Sequence, residues 1–372
     1  MKSNYKAIGE LVERIDERNR DGSITTLIGV SIDKKFIPSV ANVFGTDLTN
    51  YKVIRKYDFA VSLMQVSRDE KIPVACQKEY DAAIMSPAYP LFKVKDTNII
   101  MPEYLEMWFM RSEFDREASF VAVGGVRGSM PWEEFAKLKL PVPSIEEQRK
   151  IVKAYQTITD RIELKKRINE NLFATTQAIY KSWFVDFEPF DGICPQNWLN
   201  GCVDDIAEFY DSMRKPLSSL ERADMERIYP YYGAVSIVDY VDDFIFDGEY
   251  LLVSEDGIYV VDENGHPLLQ HITGKFWANN HAHILKGKAG FNEDSLYLFL
   301  ANTNMAPIVT GAAQPKINQA NLKSFPITIP TSDVIEKFNA LIQPFFDQRL
   351  SNEAEVKKLE NLKDLLLSRL VN

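Results

Sequence analysis

One sentence of this chain is written twice. VGGVRGSMPWEEFAKLKLPVP (123–143) and TGAAQPKINQANLKSFPITIP (310–330) lie in register at a constant offset of 187 (311 − 124 = 187; 330 − 143 = 187). Gly124 falls on Gly311, Phe135 on Leu322, Leu140 on Ile327 and Pro143 on Pro330. Behind the first copy run Gln148, Ile151, Tyr155, Ile158, Ile162, Lys165, Asn169, Leu172, Thr176, Ile179 and Trp183. Their counterparts at the same offset are Ile335, Phe338, Ile342, Phe345, Arg349, Asn352, Val356, Leu359, Lys363, Leu366 and Leu370. Steps alternating between 3 and 4 belong to a coiled-coil seam and not to a strand. Whatever fold one half adopts, the other must adopt too.

The helix starts are readable. Ser144-x-x-Glu147 forms a capping box just behind Pro143, and Ser332 with Asp333 is expected to do the same work in the second copy. Pro344 is expected to kink the second helix in its first third. Both copies turn polar at two layers, Lys165/Asn352 and Thr176/Lys363, which weakens a coil but fixes its register. Before each long helix lies a segment of domain size, rich in Tyr, Phe and Val. Turn signals stand at Asp21-Gly22, Asp247-Gly248, Asp256-Gly257 and Asn264-Gly265. A helical stretch precedes each doubled sentence, at 102–117 and 292–304. The division is therefore 1–143, a first globule; 144–191, a first long helix; 192–330, a second globule entered through GICPQNWLNG; and 331–372, a second long helix. The fold class is mixed α/β (α+β). Two globules are joined by an antiparallel pair of long coiled-coil helices, a tandem duplication with a pseudo-two-fold axis. A helix of about 40 residues is about 60 Å long, so globules hung at its ends could face DNA sites roughly 13–18 base pairs apart.

Composition sets bounds on function. The chain has 372 residues, 45% apolar and 26% charged, which is ordinary for a globular protein of two or more domains. It has no run of eighteen apolar residues, and its opening MKSNYKAIGELVERID places charges where a signal peptide needs an apolar centre, so a cytoplasmic protein without membrane contact is expected. Cys76, Cys194 and Cys202 are too few for a disulfide framework and match no zinc spacing; buried thiols are expected. The net charge of −10 argues against a phosphate partner. The distribution of that charge weakens the objection: acids crowd into 204–263, while 264–323 holds five lysines and all four histidines, as if the second globule had one acidic and one mildly basic side.

These features together resemble the specificity subunit of type I restriction–modification systems. The resemblance covers essentially the whole chain. It is carried by LKLPVPSIEEQRKIVKAYQTITDRI (138–162), GAAQPKINQANLKSFPITIP (311–330) and LENLKDLLLSRL (359–370). MSPAYPLFKV (85–94), IYPYYGA (228–234) and FWANNHAHIL (276–285) add to it. It implies two target-recognition domains, each reading half of an interrupted double-stranded DNA sequence, and a helical spacer that docks two methyltransferase subunits. Restriction/translocase subunits join these. S-adenosylmethionine serves the methyltransferase, ATP and Mg the restriction subunit, and this chain holds no cofactor, no metal and no catalytic site. The first copy departs from the family's form: Gly124-Gly-Val-Arg127-Gly-Ser-Met130 stands where the second has Gln-Pro-Lys-Ile.

Candidate DNA contacts follow from side-chain chemistry. Gln314 suits an adenine edge and Lys316 a phosphate, set against a purely structural turn. Arg127, between glycines, could reach a groove. In 275–283, Lys275, Trp277, Asn279, Asn280 and His281 form the densest polar–aromatic cluster, although His281 and His283 at alternate positions also suit packing on one strand face. Tyr231 and Tyr232 could place phenols on phosphates, or form a core edge. Arg55, Lys56, Ser86 and Tyr89 are weaker candidates in the first globule. The apolar heptad positions are the helix-pair seam: Ile151, Tyr155, Ile158, Ile162, Leu172, Ile179, Phe338, Ile342, Phe345, Val356, Leu359, Leu366 and Leu370. Two other readings compete: a coiled-coil adaptor without DNA specificity, which the acidic charge would suit, and a DNA-modifying enzyme. Against the enzyme, the sequence lacks an (Asn/Asp)-Pro-Pro-Tyr loop, a glycine-rich nucleotide loop and a His-Asn-His run.

Overall fold

The computed structural model describes residues 4–39, 45–64, 66–122, 128–311 and 313–371. The chain forms two compact units, Met1–Lys165 with Glu355–Asn372 and Lys166–Ala354. The divisions fall inside the two long helices, Ile145–Phe184 and Ser332–Ser368, so each unit owns part of both.

The duplication reaches individual hydrogen bonds. In the first unit Tyr5–Ala7 pairs antiparallel with Lys139–Pro141, a helical turn Ile8–Leu11 follows, and Ile8 N donates to Leu138 O at 2.8 Å. In the second unit Leu199–Cys202 pairs antiparallel with Pro326–Ile329, the turn is Val203–Ile206, and Val203 N donates to Phe325 O at 3.0 Å. The expected linker 192–201 is thus not free. Its Trp198 is buried against Phe184, Phe187 and Phe190, and its end is already strand.

The body of the first unit is a four-stranded antiparallel sheet ordered Val12–Ile15, Leu91–Val94, Phe59–Val61, Val74–Cys76. Against it lie the helices Pro102–Phe109 and Ser112–Val121, and the core is aromatic: Phe59 stacks on Phe92 at 5.1 Å, with Phe109, Phe114 and Phe135 around them. The second unit has a six-stranded sheet ordered Ala207–Phe209, Ala282–Gly287, Phe246–Ser254, Leu269–Ala278, Tyr229–Tyr232, Ile237–Val241. One neighbour pair, Tyr229–Tyr232 with Leu269–Ala278, is parallel. Asp247-Gly248, a turn signal in the sequence, sits inside a strand, because Gly248 faces Gly274 across the ladder.

Both long helices form where the heptads place them. Ser144 caps the first, its hydroxyl accepting from Glu147 N at 3.3 Å. In the second the capping residue is Thr331, not Ser332: its carbonyl takes the Ile335 amide and its hydroxyl donates to Asp333, whose charge suits a helix start. The second helix runs through Pro344, whose ring lies at the exposed surface. Within each unit the two helices run antiparallel. In the first, Arg161 and Lys165 both engage Glu355, the latter at 2.9 Å. In the second, Asn352 Nδ2 donates to Asn169 Oδ1 at 2.7 Å and Asn169 Nδ2 to Arg349 O at 3.2 Å. Lys165 thus meets Glu355, and Asn352 meets Asn169. Every named seam residue is buried or half-buried. The deepest positions near the helix ends include their neighbours Val152, Tyr180, Phe346 and Leu367, because there each helix also covers a globule core. Gln148, on the seam, is fully buried and saturated: it donates to Ile99 O and Pro143 O and accepts from Met101 N, while its counterpart Ile335 is simply apolar core. Of the cysteines, Cys76 is buried, with its thiol pushed well up by burial; Cys202 is half-buried and Cys194 exposed.

Candidate nucleic-acid interface

The acid-rich stretch and the histidines of the second unit do not form opposite faces. They pair with one another. His283 Nδ1 lies 2.6 Å from Asp211, His271 Nε2 2.6 Å from Glu249, His281 Nδ1 2.5 Å from Asp256, and His266 Nδ1 3.4 Å from Asp262. All four histidines of the chain are thus matched to an acid of 204–263. Two lysines of the same region are matched as well, Lys316 to Glu255 at 2.9 Å and Lys323 to Asp204 at 3.3 Å.

The doubled sentence ends in the densest of these networks. Gly311 has φ +86, which glycine tolerates, and a Cβ there would lie 2.3 Å from Gln314 O. The turn it permits lets Lys316 and Thr310 exchange backbone bonds, and Ile317 N then donates to Glu255 O at 2.8 Å. Ile317 is fully buried, and its carbonyl meets His283 Nε2 at 2.8 Å. Asp211 takes His283, the Ile284 amide at 2.9 Å and Gln319 at 2.7 Å, while Arg214 bridges Glu255 and Ala282 O, each at 2.6 Å. Burial alone would raise the Asp211 carboxyl, but His283, the Ile284 amide and Arg214 outweigh it and hold it below the ordinary carboxylate value. Glu255 is likewise held low against its burial by Arg214, Lys316 and His283. This is a clamp tying the loop to the sheet. In the first unit the same place is apolar: Met130 N donates to Leu63 O at 2.9 Å, and Met130 is buried.

Around this clamp the sequence candidates separate. Tyr231 and Trp277 lie in the core, adjacent across the parallel ladder. The Tyr231 hydroxyl accepts from Leu217 N, Trp277 Nε1 donates to Lys215 O at 2.6 Å, and neither ring has a face left for a phosphate. Tyr232 is half-buried on Phe276, and Asn279 is buried, its side chain accepting from the His281 amide. Lys316 is held by Glu255 and His281 by Asp256. Lys275, Asn280 and Gln314 are exposed, with Lys275 Nζ 4.4 Å from the Phe244 ring centre. In the first unit Arg55 and Ser86 lie at opposite ends of one ladder, Lys52–Arg55 against Ala82–Met85. Arg55 is held by Glu17 at 2.5 Å, Lys56 is exposed, and Ser86 and Tyr89 form a turn closed by Tyr89 N to Ser86 O. Arg127 lies outside the described residues. Asp211, Arg214, Glu255 and Gln319 carried no sequence signal except the crowding of acids ahead of the histidines.

Among the described residues two sets of side chains lie close enough together to share an ion: Asp211 with Glu255 and His283, and Glu249 with His271 and Asp294. The first is already saturated by Arg214, Lys316 and Gln319. No helix is long and apolar enough to cross a membrane among the described residues.

Comparison with known proteins bears on this arrangement. The family model "Type I restriction modification DNA specificity domain" matches residues 48–173 and again 195–362. A Haemophilus influenzae chain named as a type I restriction enzyme specificity subunit is 38% identical over 132 residues, 36% of this chain and 33% of that one. The MjaIX specificity subunit of Methanocaldococcus jannaschii is 25% identical over 298 residues, 73% of this chain and 68% of that one. The chain thus spans one third of the first relative's length and about two thirds of the second's. In fold it is similar to the crystal structure of a type I restriction–modification S subunit from M. genitalium, with a TM-score of 0.57 at 14% identity, covering 100% of this chain and 97% of that one. With that domain matched twice, one copy in each half, the chain belongs to the type I restriction–modification DNA specificity family.

Proposed function

We propose that the chain is a non-catalytic DNA-recognition subunit that reads an interrupted target, one half-site per globule. Two methyltransferase subunits and the restriction/translocase subunits assemble on it, and they bring S-adenosylmethionine, ATP and Mg. The observation that carries this reading is the repetition: one fold plan, ending in one helix pair, occurs twice with different loops. A symmetric pair of partners needs such a doubled platform, and different loops allow two different half-sites. The exposed polar groups Lys56, Lys275, Asn280 and Gln314 are the contacts we assign to DNA. Lys and Gln suit phosphate and base edge, and Asn suits adenine. With a net charge of −10 the isolated subunit binds DNA weakly, and the assembled complex is strongly salt-sensitive.

The test is methylation mapping of DNA treated with the chain, its methyltransferase partner, or both. The mixture is expected to methylate adenine in one gapped, two-part sequence, and neither protein alone to do so. Methyl transfer by the chain alone would make it an enzyme. Absence of sequence selectivity in the mixture would make it an adaptor.

A further inference from the structure

The clamp of the second unit holds one basic group more than it needs. Glu255 faces three: Arg214 Nη1 at 2.6 Å and His283 Nδ1 at 3.6 Å, both on Oε2, and Lys316 Nζ at 2.9 Å on Oε1. The His283 side chain is fully buried and that of Arg214 nearly so, whereas the Lys316 side chain is 44% exposed. The backbone of Lys316 stays in place without the ion pair. Its amide and its carbonyl both bond Thr310, at 2.8 Å each, it bridges Asp256, and the next residue, Ile317, is fully buried. A fixed pivot thus carries a charge on a flexible four-carbon stem. On either side stand groups assigned to DNA: Gln314 is two residues before Lys316, and the Asn280 carbonyl accepts from Arg214 Nη1 at 3.4 Å.

The repeat shows that the fold does not require this pair. Val61-Ser62-Leu63 leaves its sheet as Val253-Ser254-Glu255 does, and the last residue of each accepts from the doubled loop: Leu63 O from Met130 N, Glu255 O from Ile317 N. Glu255 therefore corresponds to Leu63. At the offset of the doubled sentence Lys316 corresponds to Ser129 (316 − 187 = 129). One unit joins loop to strand with neither member of the ion pair, and the other carries both. A tie needed for folding would stand in both units.

We propose that Lys316 is a DNA-phosphate contact that Glu255 holds in reserve, and that it exchanges the carboxylate for a phosphate when the second half-site is seated. The inference rests on the proposed function and assigns the regulation of that same surface. The exchange replaces one charge-assisted bond by another, and Glu255 keeps Arg214, so release leaves no buried charge alone. Until then the carboxylate cancels the pull of the lysine on any passing backbone. A duplex of the wrong sequence is not held beside the pair by Asn280 and Gln314 and does not open it. The pair therefore widens the difference between target and unrelated DNA.

The test uses the complex with the methyltransferase, on a duplex carrying the target found by methylation mapping and on one of unrelated sequence. Lysine acylation read by mass spectrometry is expected to mark Lys316 in the free complex and on the unrelated duplex, and to be blocked on the target. Lys316→Gln is expected to weaken target binding roughly fivefold and to reduce the salt slope by about 0.9, the share of one phosphate, while Lys316→Arg keeps both. Glu255→Gln, checked by thermal melting because Glu255 is buried, is expected to tighten binding to the unrelated duplex roughly fivefold. The acylation readout on the parent chain stands whether or not that variant folds. Lys316 left open to acylation on the target, or a salt slope untouched by Lys316→Gln in a chain that methylates, makes the pair a structural tie and overturns the inference alone. Equal protection on both duplexes makes Lys316 an unrestrained phosphate contact and overturns the exchange. A complex without sequence-selective methylation overturns the proposed function, and the exchange with it.

Discussion

Asp294 shows what burial does to a single carboxylate. It is 2% exposed at the first turn of the helix Glu293–Ala301; Gln343 donates to Oδ2 at 3.2 Å, and Oδ1 has no hydrogen-bond partner. Burial pushes its carboxyl up to about 7. His271, 3.4 Å away, pulls it down, and Glu249, Asp347 and Glu293 push it further up. A folded value above the unfolded one means that the folded chain holds a proton which the unfolded chain releases. The contribution to stability is therefore complete below about pH 4 and is lost as pH rises through about 7, at up to ~1.4 kcal/mol per pH unit. Asp294→Asn keeps the neutral shape at every pH. Thermal melts from pH 5 to 8 are expected to show the variant more stable than the parent at pH 8, with the gap closing toward pH 5. A gap that stays constant with pH would show that Asp294 does not titrate in this range.

At the scale of elements, the loop of the doubled sentence is a fixed part and not a mobile reader. Gly311→Ala adds a Cβ 2.3 Å from a backbone oxygen at positive φ, so the second unit is expected to lose roughly 1–3 kcal/mol in denaturant melts. Gln314→Ala, three residues on and exposed, is expected to leave that stability within about 0.5 kcal/mol. Equal losses in both would mean that Gln314 belongs to the clamp. The same elements show what the sequence disclosed and why the rest stayed hidden. The long helices were legible because a period of 3 and 4 persists over eleven positions, and it held through Pro344. Their cross-helix partners were not: the repeat does not reveal that Lys165 meets Glu355 or that Asn169 meets Asn352. Gln148 on an apolar position looked like a polar interruption, yet three backbone groups of the globule satisfy it. Trp277, read as a DNA contact, and Tyr231, read as a phosphate contact or a core edge, are buried through a parallel pairing 46 positions apart in sequence, which no local pattern reveals (277 − 231 = 46). Asp211 and His283 are 72 positions apart and equally silent.

At the scale of the whole molecule, the chain passes from one compact unit to the other only inside its two long helices, between Lys165 and Lys166 and between Ala354 and Glu355. If the globules read two half-sites, the number of helical turns at those crossings fixes the length of the interruption. A heptad is the unit to remove, because seven residues turn the helix almost two full times and return the seam to within about 20° of its phase. Deleting 165–171 together with 352–358 removes Lys165 with Glu355 and Asn169 with Asn352, both members of each pair, and leaves Arg161, which also engages Glu355, exposed to water. Seven residues at 1.5 Å rise shorten the spacer by about 10 Å, or about 3 base pairs at 3.4 Å each. Methylation mapping with the deleted chain is expected to return both half-sites unchanged with the gap shortened by about that amount. Replacing 1–143 with another family member's first globule is expected to change one half-site and leave the gap alone. An unaltered gap in a deleted chain that still folds and methylates would show that the helices brace the globules without measuring the distance between their sites.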